Sequence, residues 1–234
     1  MLVDDAAALA ELFGAAIERG LGHQVRTVVA LADVEQALVE DPAPDLAIVD
    51  LSFPQEPGSG LDALAQITRC SPATKLAIIT QGDEWVAQLL RDAWELLPIT
   101  TVISKSAPLA FQLGAIRQVL DTGSAPPDPA IQPLLPMVHS GQRSPTRFAA
   151  LVQHAGHAKL WVSLLNVDDA SYKALADSSG LKLNTLKNYR AQLVPELAHH
   201  GLADPSLREM RSFALRCRPF LEPYVTAALA GRVG

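Results

Sequence analysis

The segment that most constrains the fold is Leu46–Asp50, in which four consecutive apolar residues run directly into an acidic one. A short apolar run without polar alternation, followed by a loop rich in Pro, Gly and Ser, is typical of a strand buried on both faces of a parallel sheet. Asp50 would then stand at the carboxyl end of the strand, the edge where open α/β sheets bind ligands. An isolated aspartate at this position would most simply cap the next element. Whether Asp50 has a functional role therefore depends on the other residues that the fold brings to the same edge.

Similar runs recur along the first half of the chain. Further strands are predicted at Leu2–Val3, 24–30, 75–80 and 101–104. Helices are predicted between and after these strands, where apolar residues recur at helical spacing over about 9–20, 33–40, 61–70, 83–97 and 108–120. Five strands alternating with five helices predict an α/β fold, a doubly wound five-stranded parallel sheet with helices on both faces.

The composition changes after residue 121. Pro126, Pro127, Pro129, Pro133 and Pro136 lie within a short stretch that cannot sustain a helix. We therefore predict a domain at 1–121, a semi-extended Pro-rich linker at 122–144 and a smaller all-α domain at 145–234. Residues 1–124 carry 17 acidic and 7 basic side chains, whereas residues 125–234 carry 8 and 12. This asymmetry suggests an acidic site in the first half and a polyanionic partner for the second.

Other features narrow the class of protein. The two cysteines, Cys70 and Cys217, have no metal or redox spacing and indicate free thiols in a reducing compartment. Neither a secretion signal nor an apolar stretch of the ~20 residues that a membrane helix needs is recognisable. We expect a cytoplasmic protein that does not contact a membrane.

Polar side chains follow four of the predicted strands. Asp4 and Asp5 come after the first strand, Asp50 closes the third, Thr80 the fourth, and Lys105 follows the fifth. Because the carboxyl ends of parallel strands share one edge, three carboxylates should converge there and require a cation, for which Mg²⁺ is suited. Asp50 could attack phosphorus as a nucleophile, while Thr80 and Lys105 contact the phosphoryl oxygens.

These motifs, with their order and spacing, resemble the receiver domain of two-component signalling, whose fold is flavodoxin-like. The resemblance covers residues 1–121. It implies that Asp50 is phosphorylated by a sensor histidine kinase and that Asp5, Asp50 and the backbone carbonyl of Ser52 bind Mg²⁺, with Asp4 assisting through water. It also implies roles for Thr80 and Lys105 in phosphoryl transfer. One departure is Val102, which stands where the family usually has an aromatic residue.

In the second half, the segment 171–193 has the pattern of a helix-turn-helix. Ala176 allows close helix approach, Gly180 supplies the turn, and Leu186 and Leu193 face the core. The outward side chains could reach base edges and phosphates in the major groove. A small helical bundle with an exposed Lys/Asn/Arg face would give the same pattern.

The phrase LNTLKNYRAQL resembles the recognition helix of LuxR-type (NarL-like) regulators. The resemblance implies double-stranded DNA as a partner, contacted by Asn184, Thr185, Lys187, Asn188, Arg190 and Ala191. It departs at Lys182, where a capping Ser or Thr is usual, and at Pro195, which should kink or end the helix near Val194. The helix that precedes the helix-turn-helix segment is expected over about 146–165. We expect a homodimer because one small recognition helix contacts few base pairs and pairing two half-sites raises the affinity. Response regulators that the chain resembles often pair through their fourth helix and fifth strand, which correspond to about 85–104 here.

We therefore interpret the chain as a response regulator and not an enzyme. Three alternatives remain: a receiver with a protein-binding helical output, a phosphorylation-independent regulator, and a hydrolase that uses the acidic cluster. The hydrolase would need a further acid/base group near Ser52, where no carboxylate or amide occurs before Gln55. His154 and His157 are interpreted as surface or helix-end histidines because no other metal-type ligand lies at suitable spacing.

Overall fold

The structure is a computed structural model that describes residues 1–40, 43–138, 140–141 and 145–231. The chain forms two compact units, Met1–Ser144 and Pro145–Gly234. Residues 139 and 142–144 of the expected linker, and the last three residues of the expected helical domain, lie outside the described residues.

The first unit is built on a five-stranded sheet in which all strands are parallel, in the order β2-β1-β3-β4-β5. The strands are β1 (Leu2–Val3), β2 (Thr27–Val28), β3 (Leu46–Asp50), β4 (Lys75–Thr80) and β5 (Ile99–Ser104). This strand order is the flavodoxin-like one. The predicted α/β fold with a doubly wound parallel sheet is therefore confirmed.

Five helices cover the two faces of the sheet: α1 (Ala7–Leu21), α2 (Val34–Glu40), α3 (Gly60–Cys70), α4 (Ala87–Leu96) and α5 (Leu109–Thr122). Helix α1 packs beside α5, whereas α3 packs beside both α2 and α4. All five residues of β3 are buried, as its uninterrupted apolar run predicts. The strand thus holds Asp50 in a buried setting.

The second strand is shorter than its sequence suggests. A strand is expected over 24–30, but β2 contains only Thr27 and Val28. Just before it, the backbone N–H of Val25 donates to Oε1 of Glu18 on α1. Beyond it, a 3-10 turn over Leu31–Asp33 begins. The hydrogen bond from Val25 to Glu18 and the turn at Leu31–Asp33 thus limit the strand on its two sides.

Part of the expected linker is bound to the first unit. The backbone N–H groups of Ala125 and Asp128 donate to the carbonyls of Thr100 and Val102 on the edge strand β5. Ile131 is only 2% exposed, and a 3-10 turn covers Gln132–Leu134. We call residues 124–138 the strap. The prolines prevent a helix, as expected, but the strap is folded onto β5 and is not a free, semi-extended linker.

The second unit is entirely helical. After a 3-10 segment over Pro145–Leu151 it contains α6 (Ala155–Asn166), α7 (Tyr172–Ser179), α8 (Leu183–Ala198), α9 (Leu207–Arg216) and α10 (Arg218–Leu229). Its core includes Phe148, Trp161 and Phe213, with stacked rings of Phe148 and Phe213 5.9 Å apart. The prediction of a single helix over 146–165 is wrong, because α6 begins only at Ala155. Nδ1 of His154 caps this helix by accepting the N–H groups of Gly156 and His157.

Helices α7 and α8 form the predicted helix-turn-helix pair. Oγ of Ser171 caps α7 by accepting the N–H of Ala174, and Gly180 turns the chain with φ of 67°. Leu186 and Leu193 are fully buried, as predicted. Pro195, in contrast, does not end the helix near Val194, because α8 continues to Ala198.

Candidate functional site

The strand ends bring the chemically active side chains of the first unit together. The register pairs Val3 with Val49, Asp50 with Ile79 and Thr80 with Ser104. Asp4, Asp50, Thr80 and Lys105 therefore lie at one edge of the sheet, and all but Lys105 are at most 5% exposed. The convergence that the sequence pattern predicts is present.

Lys105 joins the two buried carboxylates. Its Nζ lies 2.7 Å from Oδ2 of Asp4 and 2.8 Å from Oδ2 of Asp50. The second oxygen of each carboxylate also has a donor, since Ala6 N–H donates to Oδ1 of Asp4 and Ser52 N–H to Oδ1 of Asp50. The carboxylates are thus oriented before any ligand binds.

Burial and charge act in opposite directions on these groups. Burial raises the pKa of Asp50 above its usual range, and the hydrogen bond and charge of Lys105 offset this only in part. Burial alone would lower the pKa of Lys105, but hydrogen bonds to Asp4 and Asp50 together with their charges outweigh it and raise that pKa. Lys105 therefore stays charged and favours the ionised form of Asp50.

The three carboxylates could also hold a metal ion. One ligand oxygen from each of Asp4, Asp5 and Asp50 lies within 4.8 Å of the others. Asp4 and Asp50 are buried and Asp5 is half-buried, so the cluster opens to solvent on the side of Asp5. An all-oxygen set with an open side suits Mg²⁺, which keeps several of its water ligands. The donor chemistry fits the metal expected from the sequence.

Thr80 lies on the strand next to Asp50 and is 1% exposed. Its Oγ1 accepts a hydrogen bond from the N–H of Gly82 at 3.1 Å. The hydroxyl hydrogen remains a donor that can turn toward an oxygen placed at the sheet edge. Thr80 can therefore act as a hydrogen-bond donor in the site, while its oxygen is tied to the following loop.

Sequence reasoning missed one residue that positions the site. Nε2 of Gln112, on α5, lies 3.0 Å, 3.2 Å and 3.0 Å from the carbonyl oxygens of Ser104, Lys105 and Ala107. It thus fixes the loop that carries Lys105. Gln112 is 7% exposed, and the available signal was a polar residue on the inward face of an amphipathic helix.

The backbone of Gly60 packs closely against the backbone of Asp50. A Cβ atom placed on Gly60, at the start of α3, would lie 1.8 Å from the carbonyl oxygen of Asp50. Gly60 N–H also donates to the carbonyl of Leu51. The loop between β3 and α3 is closed at its far end by Asp62, whose Oδ2 accepts the N–H of Ser59. Glycine is therefore required at position 60.

The residues expected to contact DNA lie along α8. Asn184, Lys187, Asn188 and Ala191 are exposed, while Thr185 and Arg190 are half-buried. Nζ of Lys187 lies 5.7 Å from the ring centroid of Tyr172 on α7. The exposed side of α8 thus carries polar side chains, and the ammonium group of Lys187 lies close to α7.

Arg190 differs from its neighbours because it is engaged within the unit. Its Nε donates to the carbonyl of Pro205, and its NH2 group lies 2.7 Å from Oδ1 of Asp204. These contacts tie α8 to the loop before α9. Arg190 is therefore held in place as a structural contact, and a DNA contact by this residue would have to compete with Asp204.

His157 also differs from its interpretation as a surface residue. It is fully buried, its Nε2 pairs with Oε1 of Gln192 at 3.0 Å, and its Nδ1 has no partner among the described residues. Burial lowers the pKa of His157, although Gln192 partly opposes this. The ring therefore favours its neutral form inside the second unit.

Within the part of the chain that the structure describes, no helix has the length and apolarity to cross a membrane. No family model matches the chain, and no curated protein matches it.

Solved structures similar to the chain include a LuxR-family two-component response regulator from Aurantimonas sp. SI85-9A1, with 26% identity over 57% of this chain and 91% of that one and a TM-score of 0.49. A CheY-like receiver domain protein from Methanospirillum hungatei JF-1 is 21% identical over 51% and 90%, with a TM-score of 0.43. The RcsB response regulator of Salmonella typhimurium is 15% identical over 91% and 96%, with a TM-score of 0.45. The similar structures are thus receiver domains and response regulators.

Proposed function

We propose that this chain is a two-component response regulator in which Asp50 accepts a phosphoryl group from a sensor histidine kinase and the second unit binds double-stranded DNA. The observation that carries the proposal is the contact of Lys105 with both Asp50 and Asp4 beside Thr80 at the next strand end. A nucleophilic carboxylate, a cation and a hydroxyl donor on adjacent rigid strands suit phosphoryl transfer, which depends on positioning and charge.

In the proposed reaction, a carboxylate oxygen of Asp50 attacks the phosphorus of a phosphohistidine. The new P–O bond forms as the P–N bond breaks, and the imidazole leaves with the electron pair and takes up a proton. Lys105 and Thr80 would donate to the phosphoryl oxygens. Asp4, Asp5, Asp50 and the backbone carbonyl of Ser52 would hold Mg²⁺, which when bound neutralises charge on the carboxylates and on the phosphoryl group.

Acetyl phosphate can replace the kinase in a test of this reaction. The intact mass of the chain, incubated with Mg²⁺ and acetyl phosphate, should increase by one phosphoryl group. Asp50→Asn should gain none, whereas Asp45→Asn, directly before the first residue of the same strand, should behave like wild type. An unmodified wild type, or equal modification of Asp50→Asn, would refute the proposal.

DNA binding is proposed for the polar face of α8. Residues 125–234 carry 12 basic and 8 acidic side chains, and Asn184, Lys187 and Asn188 are exposed on α8. Affinity for duplex DNA should fall steeply with salt, because phosphate contacts release counterions. A cytoplasmic location and a homodimer that pairs two DNA half-sites complete the proposal.

A protein-binding output is the second candidate, and two observations favour it. Arg190 is paired with Asp204, which reduces the cationic character of the helix, and Leu183 at the start of α8 is 43% exposed. A protein partner would bind through apolar contact with weak salt dependence. The salt titration therefore separates the two outputs.

A further inference from the structure

We propose that Glu56 is a positioning residue for the Mg²⁺ site, because its carboxylate holds the loop that carries Ser52 against the segment that follows β2. This inference rests on the proposed Mg²⁺ site and deepens it. It assigns a role to an acidic residue that neither the carboxylate cluster nor the proposed phosphoryl transfer uses.

Glu56 bonds the loop between β3 and α3 to a separate element of the chain. Both of its carboxylate oxygens lie 3.1 Å from the backbone nitrogen of Leu31 and accept its N–H. Leu31 is the first residue of the 3-10 turn that leads into α2, and Ala30 before it has a methyl side chain that cannot accept this hydrogen bond. The first N–H groups of a helical segment carry partial positive charge, so an anionic acceptor bonds them strongly. Glu56 thus supplies, from a distant loop, the cap that the local sequence lacks.

The two segments joined by this hydrogen bond flank the carboxylate cluster. Strands β2 and β3 lie on either side of β1, and Asp4 and Asp5 follow the end of β1. Leu31 belongs to the segment that leaves β2, and Glu56 belongs to the loop that leaves β3. The hydrogen bond therefore ties together the two chain segments on either side of the proposed metal ligands.

A close packing contact accompanies the hydrogen bond. A Cβ atom placed on Gly58 would lie 3.0 Å from Cδ1 of Leu31 and 3.2 Å from Oδ2 of Asp62. The loop therefore meets Leu31 twice, through the Glu56 carboxylate and through the backbone of Gly58. The packing sets how closely the two segments approach, and the hydrogen bond sets their relative orientation.

The loop is stiff between Glu56 and the metal site. The N–H of Glu56 donates to the carbonyl of Phe53 at 3.1 Å, which closes a four-residue turn with Pro54 at its second position. Proline has a fixed φ angle and is favoured at that position. The Phe53 ring is buried and fixes where the chain passes. The orientation of the peptide between Ser52 and Phe53 still depends on the turn that follows, which Glu56 holds.

Ser52 connects this turn to the proposed metal ligands. Its N–H donates to Oδ1 of Asp50 at 3.2 Å, and its carbonyl is the backbone ligand of the proposed site. Mg²⁺ demands near-ideal octahedral geometry, so a change in the direction of this carbonyl weakens binding. Groups that orient metal ligands without touching the metal typically contribute about 10–100-fold to metal affinity. Loss of the Glu56 carboxylate should therefore weaken Mg²⁺ binding although every ligand remains.

The Mg²⁺ affinity of the full chain tests the inference. Urea unfolding at a series of Mg²⁺ concentrations gives Kd, because bound metal raises the free energy of unfolding. Glu56→Ala should raise Kd about tenfold or more. Glu56→Gln should stay within about threefold of wild type, because its side-chain carbonyl can still accept the Leu31 N–H. Glu11→Ala, which removes an exposed glutamate of α1, is the matched control and should keep the wild-type Kd.

Two further measurements separate positioning from a general effect on stability. The Leu31 amide should exchange its hydrogen about tenfold faster or more in Glu56→Ala, since it loses its acceptor. In phosphorylation by acetyl phosphate, the Mg²⁺ concentration that gives half the maximal rate should rise in parallel with Kd. The rate at saturating Mg²⁺ should change less than about twofold, because the reacting groups are intact.

The outcomes distinguish this inference from the proposed function. A Glu56→Ala chain with lower stability but the wild-type Kd overturns the positioning role and leaves the response-regulator proposal standing. Equal losses of affinity in Glu56→Gln and Glu56→Ala also overturn it, because the charge of Glu56 would then explain the effect. A wild type that binds Mg²⁺ but takes up no phosphate refutes the proposed function, while the Kd values of the variants still decide the role of Glu56. A wild type that binds no Mg²⁺ overturns both.

Discussion

The Nζ atom of Lys105 lies 2.8 Å from Oδ2 of Asp50, so the proposed nucleophile and its counterion are in contact before phosphate arrives. Two buried carboxylates share this one ammonium group, since Asp4 is its second partner. The charge balance of the site therefore depends on a single side chain.

Replacing Lys105 by Ala should destabilise the first unit in Mg²⁺-free buffer. We expect the free energy of unfolding to fall by about 2–3 kcal/mol, because two buried carboxylates lose their counterion at an edge that is partly open to water. Urea unfolding followed by circular dichroism measures this. Lys75→Ala is the control, since within the described residues the hydrogen bond of its ammonium group goes to a backbone carbonyl, that of Leu120, at 3.3 Å; an equal loss in both variants would argue against the charge explanation.

Mg²⁺ should stabilise wild type through the carboxylate cluster. At a metal concentration of 100 times Kd the stabilisation is about 2.7 kcal/mol, visible as a rise in Tm. Asp5→Asn should abolish most of this rise because it removes one charged ligand from the open side of the site. Asp45→Asn, directly before the first residue of β3, should keep it. If Asp5→Asn responds to Mg²⁺ like wild type, the metal does not bind at this cluster.

Gly60→Ala should disrupt the loop behind Asp50. The added methyl group would meet the Asp50 carbonyl oxygen at 1.8 Å, and backbone atoms of a buried strand cannot yield. We expect a loss of about 3 kcal/mol or more in the free energy of unfolding. Gly114→Ala, in α5, has open space around its Cβ position and should be neutral or stabilising by about 0.5–1 kcal/mol. Similar stability of the two variants would contradict the close approach.

Lys187→Ala should weaken DNA binding by the second unit. Loss of one phosphate contact lowers the slope of log affinity against log salt concentration by about 0.9, measured by fluorescence anisotropy with a labelled duplex. Lys159→Ala, an exposed lysine on α6, should retain the wild-type slope. Identical slopes for both variants would place the DNA elsewhere.

The buried His157 should make the second unit sensitive to acid. Because burial lowers its pKa in the folded state, the unfolded chain binds more protons as the pH falls below about 6.5. As the pH falls from about 6.5 toward the pKa of His157 in the folded state, the free energy of unfolding decreases. The loss is about 1.4 kcal/mol for each unit by which the pKa values of the folded and unfolded states differ. Unfolding monitored through Trp161 should show this loss in wild type and less of it in His157→Gln.

The exposed His199 provides a comparison for this effect. His199→Gln should retain the wild-type dependence of stability on pH, because its ring is not buried. A wild type whose stability does not change between pH 7 and 5 would show that His157 titrates equally in both states.

The structural features that the sequence predicted correctly are those that depend on residues close together along the chain. The apolar run before Asp50 is buried as a strand, Gly180 turns α7 into α8, and Leu186 and Leu193 face the core. The position of Pro195 shows the limit of such rules, since α8 passes through it to Ala198. Propensity is a weak preference that tertiary packing overrides.

By itself the sequence determined the α/β alternation, the sheet edge at which Asp4, Asp50, Thr80 and Lys105 meet, and the helix-turn-helix. These follow from hydrophobic periodicity and from the rule that parallel strand ends share one edge. Only the tertiary structure decided that Gln112 fixes the Lys105 loop, that Asp204 engages Arg190, and that the strap binds β5. Each of these contacts joins backbone or side-chain polar atoms of separate elements, and such atoms leave no periodic signal along the chain.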